Sequence, residues 1–322
     1  MSRRPRIAAL GGGTGLASLL RGLKRAPVDI TAIVTMADDG GSSGRLRREL
    51  GVLPPGDVRN CLVALADDES LLGRLFQHRF ADGDLSGHPF GNLFLAALAE
   101  VTGSFDVAVE ECSQVLKISG QVVPSTLSHS RLWAERASGE EVCGETMIAA
   151  GPGACRRVWL DPEPPAHEPA VRAILEADLV LLGPGSLFTS VLAHLAVPDL
   201  ARAVADAPGT RAYVCNVMTQ PGETDGFDAA EHVDRVMAAL PGGLDVAIVH
   251  EGALDPEAVA MYAAGGQQPV EPARERVAEM GVRVVAADVA EAGEVVRHSP
   301  DALAEVLLRL AAESARAEDA LS

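Results

Sequence analysis

Aromatic side chains are scarce in this chain: two tryptophans, two tyrosines and seven phenylalanines, 3% of 322 residues. The core cannot rest on ring packing. It has to be built from Ala, Val, Leu and Ile, which suits helices packed on a parallel sheet. Positive charge is also short. Asp and Glu outnumber Lys and Arg by 45 to 27, a formal net charge of −18. So acidic a surface repels nucleic acid and anionic membranes, and no nucleic-acid partner is expected. Small anions are not excluded, because backbone N–H groups can hold them locally. No C-x-x-C pair occurs among Cys61, Cys112, Cys143, Cys155 and Cys215. Scattered and odd in number, they read as reduced thiols of a cytoplasmic protein, most of them buried. There is no H-E-x-x-H, no Ser-His-Asp arrangement and no evident nucleophile.

Long apolar runs are missing too. Arg3, Arg4 and Arg6 precede only four apolar residues, Ile7–Leu10, too few for a signal-peptide core. Leu179–Val197 carries no Asp, Glu, Lys or Arg, but Gly183-Pro184-Gly185-Ser186 interrupts it. A buried strand, a turn and a helix explain it better than a membrane span. No targeting or membrane-spanning segment is expected.

What is present is an alternation of strand and helix. Arg6–Leu10 reads as a buried strand, Thr14–Arg25 as a helix with Leu16, Leu19, Leu20 and Leu23 on one face, and Ile30–Met36 as a β-branched strand. This βαβ opening implies a parallel sheet. From Pro54 to about Lys117 the pattern is helical: Val58–Ala66 capped by Asp57, Glu69–Phe80, Pro89–Val101 and Phe105–Leu116. It reads as a helical insertion between strands. Val122–Ser125, Leu132–Ala137 and Arg157–Leu160 read as strands, with a hairpin turn at Ser138-Gly139. Strands follow at Leu179–Leu182, Arg211–Cys215, Asp245–Val249 and Arg283–Ala287. Helices fall near Pro169–Glu176, Leu187–Ala207, Asp228–Leu240, Pro256–Ala263 and Asp301–Ala315. The expectation is one Rossmann-like α/β domain over residues 1–315, a mostly parallel sheet flanked by helices, with 316–322 as a frayed polar tail.

The strongest chemical signal is Gly11-Gly12-Gly13-Thr14-Gly15, four glycines in five residues between a strand and a helix. Glycines let the backbone approach a phosphate, and the helix start supplies unpaired N–H groups. A plain tight turn needs only one or two glycines. The loop is not a dinucleotide fingerprint, since Leu16 stands where Gly or Ala belongs, and no Walker A Gly-Lys-Ser/Thr follows.

A second loop, with Asp38, Asp39, Gly41, Ser42 and Ser43, follows the second strand. It is expected beside the first, where an Asp can meet a ribose or a metal ion, the other reading being a solvated turn. Arg59 and Asn60 follow Asp57, and Arg59 can pair with a phosphate. His88 and Asn92 flank a Pro-led helix start, His88 serving as proton shuttle, ligand contact or plain structure. Gly183, Gly185 and Ser186 form another strand-to-helix turn and a second candidate anion site, or a simple cap. Asn216, Thr219 and Gln220 follow a strand and suit a base or a sugar, or are ordinary loop polarity.

Together, Gly11–Leu16, Ala37–Arg47, Pro54–Leu62, Gly87–Leu93, Gly120–Thr126, Gly183–Thr189 and Asn216–Thr224 make the chain resemble the bacterial gluconeogenesis factors, or YvcK-like proteins. These are related to the CofD-like 2-phospho-L-lactate transferases. The resemblance implies a Rossmann-like fold with inserted helices and binding of UDP-sugars such as UDP-N-acetylglucosamine. The implied role is control of cell shape and wall synthesis during gluconeogenic growth, with cell-wall synthesis proteins as partners and no firmly attached reaction. By position, Tyr262 and Arg297 are the residues it implies against the UDP-sugar. Some such relatives are switched by phosphorylation of a C-terminal Thr; no Thr follows Thr224 here. A homo-oligomer is expected. The alternative is a transferase in which Asp38, Asp39 and Asp57 hold Mg²⁺. An NAD-dependent enzyme fits less well, because of Leu16.

Overall fold

The structure, a computed structural model, describes residues 3–66, 71–291 and 296–321, without the side chains of 317–321. The chain opens as β1 (Arg6–Gly11), α1 (Gly13–Leu23) and β2 (Asp29–Val34). Five helices then precede the next strand: α2 (Gly41–Leu50), α3 (Gly56–Leu65), α4 (Leu71–Gln77), α5 (Phe90–Thr102) and α6 (Phe105–Leu116). Glu69 and Ser70, where the helix of α4 was expected to begin, lie outside the described residues.

β3 (Gln121–Pro124) is followed by β4 (Arg131–Arg136), β5 (Glu141–Cys143), α7 (Glu145–Ala150) and β6 (Cys155–Asp161). The Ser138-Gly139 turn leads into β5, a three-residue strand too short and polar to show in the pattern. After α8 (Glu168–Leu175) and β7 (Leu179–Leu182) comes a π-helical turn, Leu187–Val191, then α9 (Leu192–Leu195) and α10 (Pro198–Asp206). One helix was expected over Leu187–Ala207. Pro198 divides it, because a proline cannot continue a helix but can start one.

The remaining elements are β8 (Thr210–Val214), α11 (Ala229–Ala239), β9 (Val246–His250), α12 (Pro256–Ala264), α13 (Arg274–Glu279), β10 (Arg283–Ala287) and α14 (Pro300–Leu321). The backbone of α14 includes most of the segment expected to fray; Ser322 lies outside the described residues.

Seven strands form one sheet in the order β10-β9-β8-β7-β1-β2-β3, every neighbouring pair parallel. The fold is Rossmann-like α/β. β1 shows why its sequence is apolar throughout. Ile7 and Ala9 point into one core with α1, α3 and α14, while Ala8 and Leu10 point into a second core with α8 to α11. β4, β5 and β6 form a small antiparallel sheet in the order β5-β4-β6, whose Leu132 and Ala134 join that second core. All five cysteines are free, four of them buried. Among the described residues no single helix is long and apolar enough to cross a membrane; one pair, Leu187–Leu195 with Pro198–Asp206, has the length and composition but is bent by 78°.

From β1 the chain moves to β2 and β3 on one side, and later to β7, β8, β9 and β10 on the other. The direction of winding therefore reverses between β1 and β7. In such sheets the crevice outside the carboxyl ends of those two strands is where ligands bind.

Candidate functional site

A cleft of about 530 Å³ opens at that reversal, within the range of small-molecule sites. Its floor is the start of α1, from Gly12 to Gly15, and the loop Pro184–Ser186 after β7. Gly13 sits at φ +61°, with nothing within 4 Å of where a side chain would project. A Cβ on Gly15 would stand 2.9 Å from the carbonyl oxygen of Pro184, so glycine is what lets the two loops touch. Asn216 ties the next strand to them, its Nδ2 donating to Gly185 O at 3.0 Å.

The helix start at Gly13–Gly15 carries backbone N–H groups without helical acceptors. One is engaged: Gly13 N–H donates to the Asp57 carboxylate, which burial and the nearby Asp38 charge push up to about 6. Asp57 thus sits inside the first turn of α3, not at its cap, which is Pro55. The start of the π turn is filled from within the chain. Glu223, buried, accepts from Ser186 Oγ and from Phe188 N–H at 3.3 Å. That anion site is therefore occupied by a carboxylate of the protein itself. Glu223→Ala leaves those donors buried and unpaired and should cost about 2–4 kcal/mol of stability in denaturant unfolding. An unchanged midpoint would contradict the bonding.

Three acceptors facing this region lack partners: Asn216 Oδ1, Gln220 Oε1 and Glu145 Oε2. Burial and the charges of Asp38, Asp57, Glu223 and Asp39 raise the Glu145 carboxyl well above the usual range. Cations come from Arg21 and Arg297, and the wall beyond the sheet from Tyr262, Gln267, Val296 and His298. Tyr262 Oη donates to Val296 O at 3.4 Å, joining α12 to the segment that carries Arg297. His298 Nε2 lies 3.1 Å from Cys215 O, and burial drives its ring down to about 4.

The family model described as 2-phospho-L-lactate transferase CofD matches residues 7–290. The chain belongs to the CofD family. Within that family it resembles a gluconeogenesis factor of Bacillus subtilis, 46% identical over 97% of this chain and 100% of the relative. A second gluconeogenesis factor, from Halalkalibacterium halodurans, is 44% identical over 95% of this chain and 96% of that one. A crystal structure of a Bacillus halodurans protein superposes with a TM-score of 0.92 at 43% identity, covering 95% of this chain and 99% of that one.

Of the residues singled out from sequence, Gly12, Gly13, Thr14, Gly15, Asn60, Gly185, Ser186, Asn216, Gln220, Tyr262 and Arg297 line the cleft of this CofD-family chain. Gly11 ends β1 and Gly183 follows β7, and neither is among the lining residues. The second loop also supplies no lining residue. Asp38 accepts from Gly40 N at 2.9 Å, and Asp39 accepts from Thr146 N at 3.0 Å and Thr146 Oγ1 at 2.9 Å. Gly41 begins α2, and Ser43 Oγ accepts from Gly56 N at 3.1 Å, so the loop braces α3 and α7. Ser42, His88 and Asn92 form a buried triad: Ser42 Oγ lies 2.8 Å from His88 Nδ1 and accepts from Asn92 Nδ2 at 3.0 Å. Arg59 is buried and donates to Asn60 Oδ1 at 2.6 Å. Thr219 joins the 216–224 loop to Gln267 and Gln268, its Oγ1 accepting from Gln268 N at 2.9 Å.

Asp38, Asp39 and Asp57 thus turn to three different partners. Among the described residues no three His, Cys, Asp or Glu side chains are placed to share a metal ion. Sequence reasoning missed Arg21, Glu145, Ser190, Gln267 and His298. Arg21 is in the last turn of α1 and was legible as the basic end of that helix. Glu145 stands on a six-residue helix with no periodicity to announce it.

Proposed function

We propose that the protein binds a nucleotide sugar of the UDP-N-acetylglucosamine type in the β1/β7 cleft and acts as a regulator of cell shape and wall synthesis during gluconeogenic growth, without turning the ligand over. The observation that carries this is the pairing, in one cleft, of helix-start N–H donors with the orphaned acceptors Asn216 Oδ1 and Gln220 Oε1. The first suit a diphosphate; the second need hydroxyl or imide donors, which a sugar and a uracil supply. Tyr262 offers a ring to stack on, and Arg297 a counter-charge in an otherwise acidic chain. The relatives' name, gluconeogenesis factor, supports the gluconeogenic context of this reading.

Charge-assisted bonds of about 1.5–3 kcal/mol each, two or three in number, support micromolar affinity after the cost of association. Arg297→Ala should weaken binding about tenfold, read by calorimetry, with the melting temperature unchanged. Unchanged affinity would remove Arg297 from the site.

The transferase reading keeps one observation in its favour, Glu145. A carboxyl in the cleft whose proton affinity is raised by burial and by the neighbouring carboxylates is a candidate general acid. Prolonged incubation with UDP-N-acetylglucosamine or GDP and Mg²⁺, followed by product analysis, separates the two. Intact nucleotide after tight binding supports the regulator; multiple turnovers support the transferase.

A further inference from the structure

Arg136 ends β4 on its inward side, following Leu132 and Ala134 in the strand's alternation, and is only 2% exposed. The register of β4 against β6 shifts between Glu135 and Arg136, so the strand is irregular where the arginine turns in. A charge in the place of a core residue needs partners. The guanidinium finds four, and all are backbone carbonyls. Nη1 donates to Gly222 O at 2.8 Å and to Gly153 O at 3.1 Å. Nη2 donates to Ile148 O at 2.9 Å and to Met147 O at 3.2 Å.

These carbonyls come from two stretches remote in sequence. Met147 and Ile148 are among the last four residues of α7, whose carbonyls have no donor within the helix. A cation is favourable at that end. Gly222 belongs to the 216–224 loop. Both stretches reach the cleft, because α7 begins with Glu145 and the loop carries Gln220. Glu145 Oε2 and Gln220 Oε1 have no partner of their own, so neither atom holds its side chain in place. Glu223, next to Gly222, is the carboxylate that fills the start of the π turn. Glycines make the close approach possible. A Cβ on Gly151 would collide with the guanidinium, and one on Gly222, at φ +81°, would collide with Gly151 O.

We propose that Arg136 is a positioning residue of the cleft: one buried guanidinium fixes α7 and the 216–224 loop against each other, and so sets Glu145 and Gln220 for the ligand. Lysine cannot take its place. An ammonium donates from a single atom, whereas these four carbonyls are met by a planar fork. The inference rests on the nucleotide-sugar reading of the cleft and adds to it a residue that does not line the cleft itself.

The test is calorimetry of the full chain with UDP-N-acetylglucosamine, well below each variant's melting temperature. Arg136→Lys should bind about tenfold or more weakly. Gly151→Ala keeps the arginine and its charge but puts a methyl where the guanidinium lies. It should weaken binding to a similar extent, and it carries the test if Arg136→Lys does not fold. A mutant cycle separates positioning from plain stabilisation. Gln220→Ala removes one of the groups that Arg136 sets, so in that background the further loss from Gly151→Ala should shrink to less than about threefold. Wild-type affinity in folded Arg136→Lys and Gly151→Ala, with only the melting temperature lowered, overturns the positioning role and leaves the nucleotide-sugar reading intact. The same tenfold loss with and without Gln220 also overturns it. A wild-type chain that binds no UDP-N-acetylglucosamine overturns that reading, and this inference with it.

Discussion

Gly13→Val should leave a folded protein that binds UDP-N-acetylglucosamine at least about 100-fold more weakly. Gly13 is the first residue of α1 and holds φ +61°, a region β-branched residues scarcely adopt. Keeping valine there costs about 1–2 kcal/mol, a tolerable loss of stability. Nothing lies within 4 Å of the new side chain, so the fold meets no collision. The loss falls on the ligand. Either the methyl groups project into the cleft where a phosphate must approach, or the backbone relaxes and withdraws the Gly13 N–H from Asp57 along with the N–H groups behind it. Gly13→Ala should fall between wild type and valine. Calorimetry beside a thermal melt checks it; normal binding by a folded Gly13→Val protein would mean the loop is only a turn.

Asp57→Asn should make the protein more stable at pH 7, by about 1–3 kcal/mol. Asp57 has its pKa raised from 3.8 to about 6, by burial first and by Asp38 second. The folded state therefore holds this proton more tightly than the unfolded state does. Its contribution to stability is full below pH 3.8 and is lost as pH rises through about 6. Above that, the native state carries a carboxylate it would rather have protonated. Asparagine keeps an oxygen for the Gly13 N–H and removes the charge. The gap between variant and wild type should be widest at pH 7 and close as pH falls toward 4, in urea unfolding at a series of pH values. A variant less stable at pH 7, or a gap independent of pH, would contradict the account. The same titration removes a negative charge from beside the Gly12–Gly15 loop, so binding of UDP-N-acetylglucosamine should tighten as pH falls through about 6.

Such a destabilised carboxylate beside the Gly12–Gly15 loop could not be read from the sequence. Asp57 at a helix start looks like a cap, and the competing partner, Gly13 N–H, is over forty residues away. The β1–α1–β2 opening was legible because its signals are local: β-branched runs, one apolar helix face and glycines between. The position of the cleft was not. Sequence order places it between the parallel neighbours β1 and β2, but β7 pairs on the other side of β1 from some 170 positions along the chain. Asn216 and Gln220 line the cleft, whereas Asp38, Asp39, Ser42 and Ser43 are not among its lining residues. Short elements escaped for a different reason. β5 and α7 are held by their neighbours, too few residues to carry a period, and Glu145 went unnoticed with them. The division of Leu187–Ala207 was foreseeable from Pro198; the preceding π turn was not.

The central claim is that a nucleotide sugar is held where β1 and β7 diverge. The most direct measurement is calorimetric titration of the full chain with UDP-N-acetylglucosamine, with GDP and NAD in parallel and wild type beside Gly13→Val. The expected result is one site per chain at micromolar dissociation constant for the UDP-sugar, weakened at least about 100-fold by Gly13→Val and weaker for the other two nucleotides. No heat with UDP-N-acetylglucosamine at millimolar concentration, beside clear binding of GDP or NAD, would contradict it.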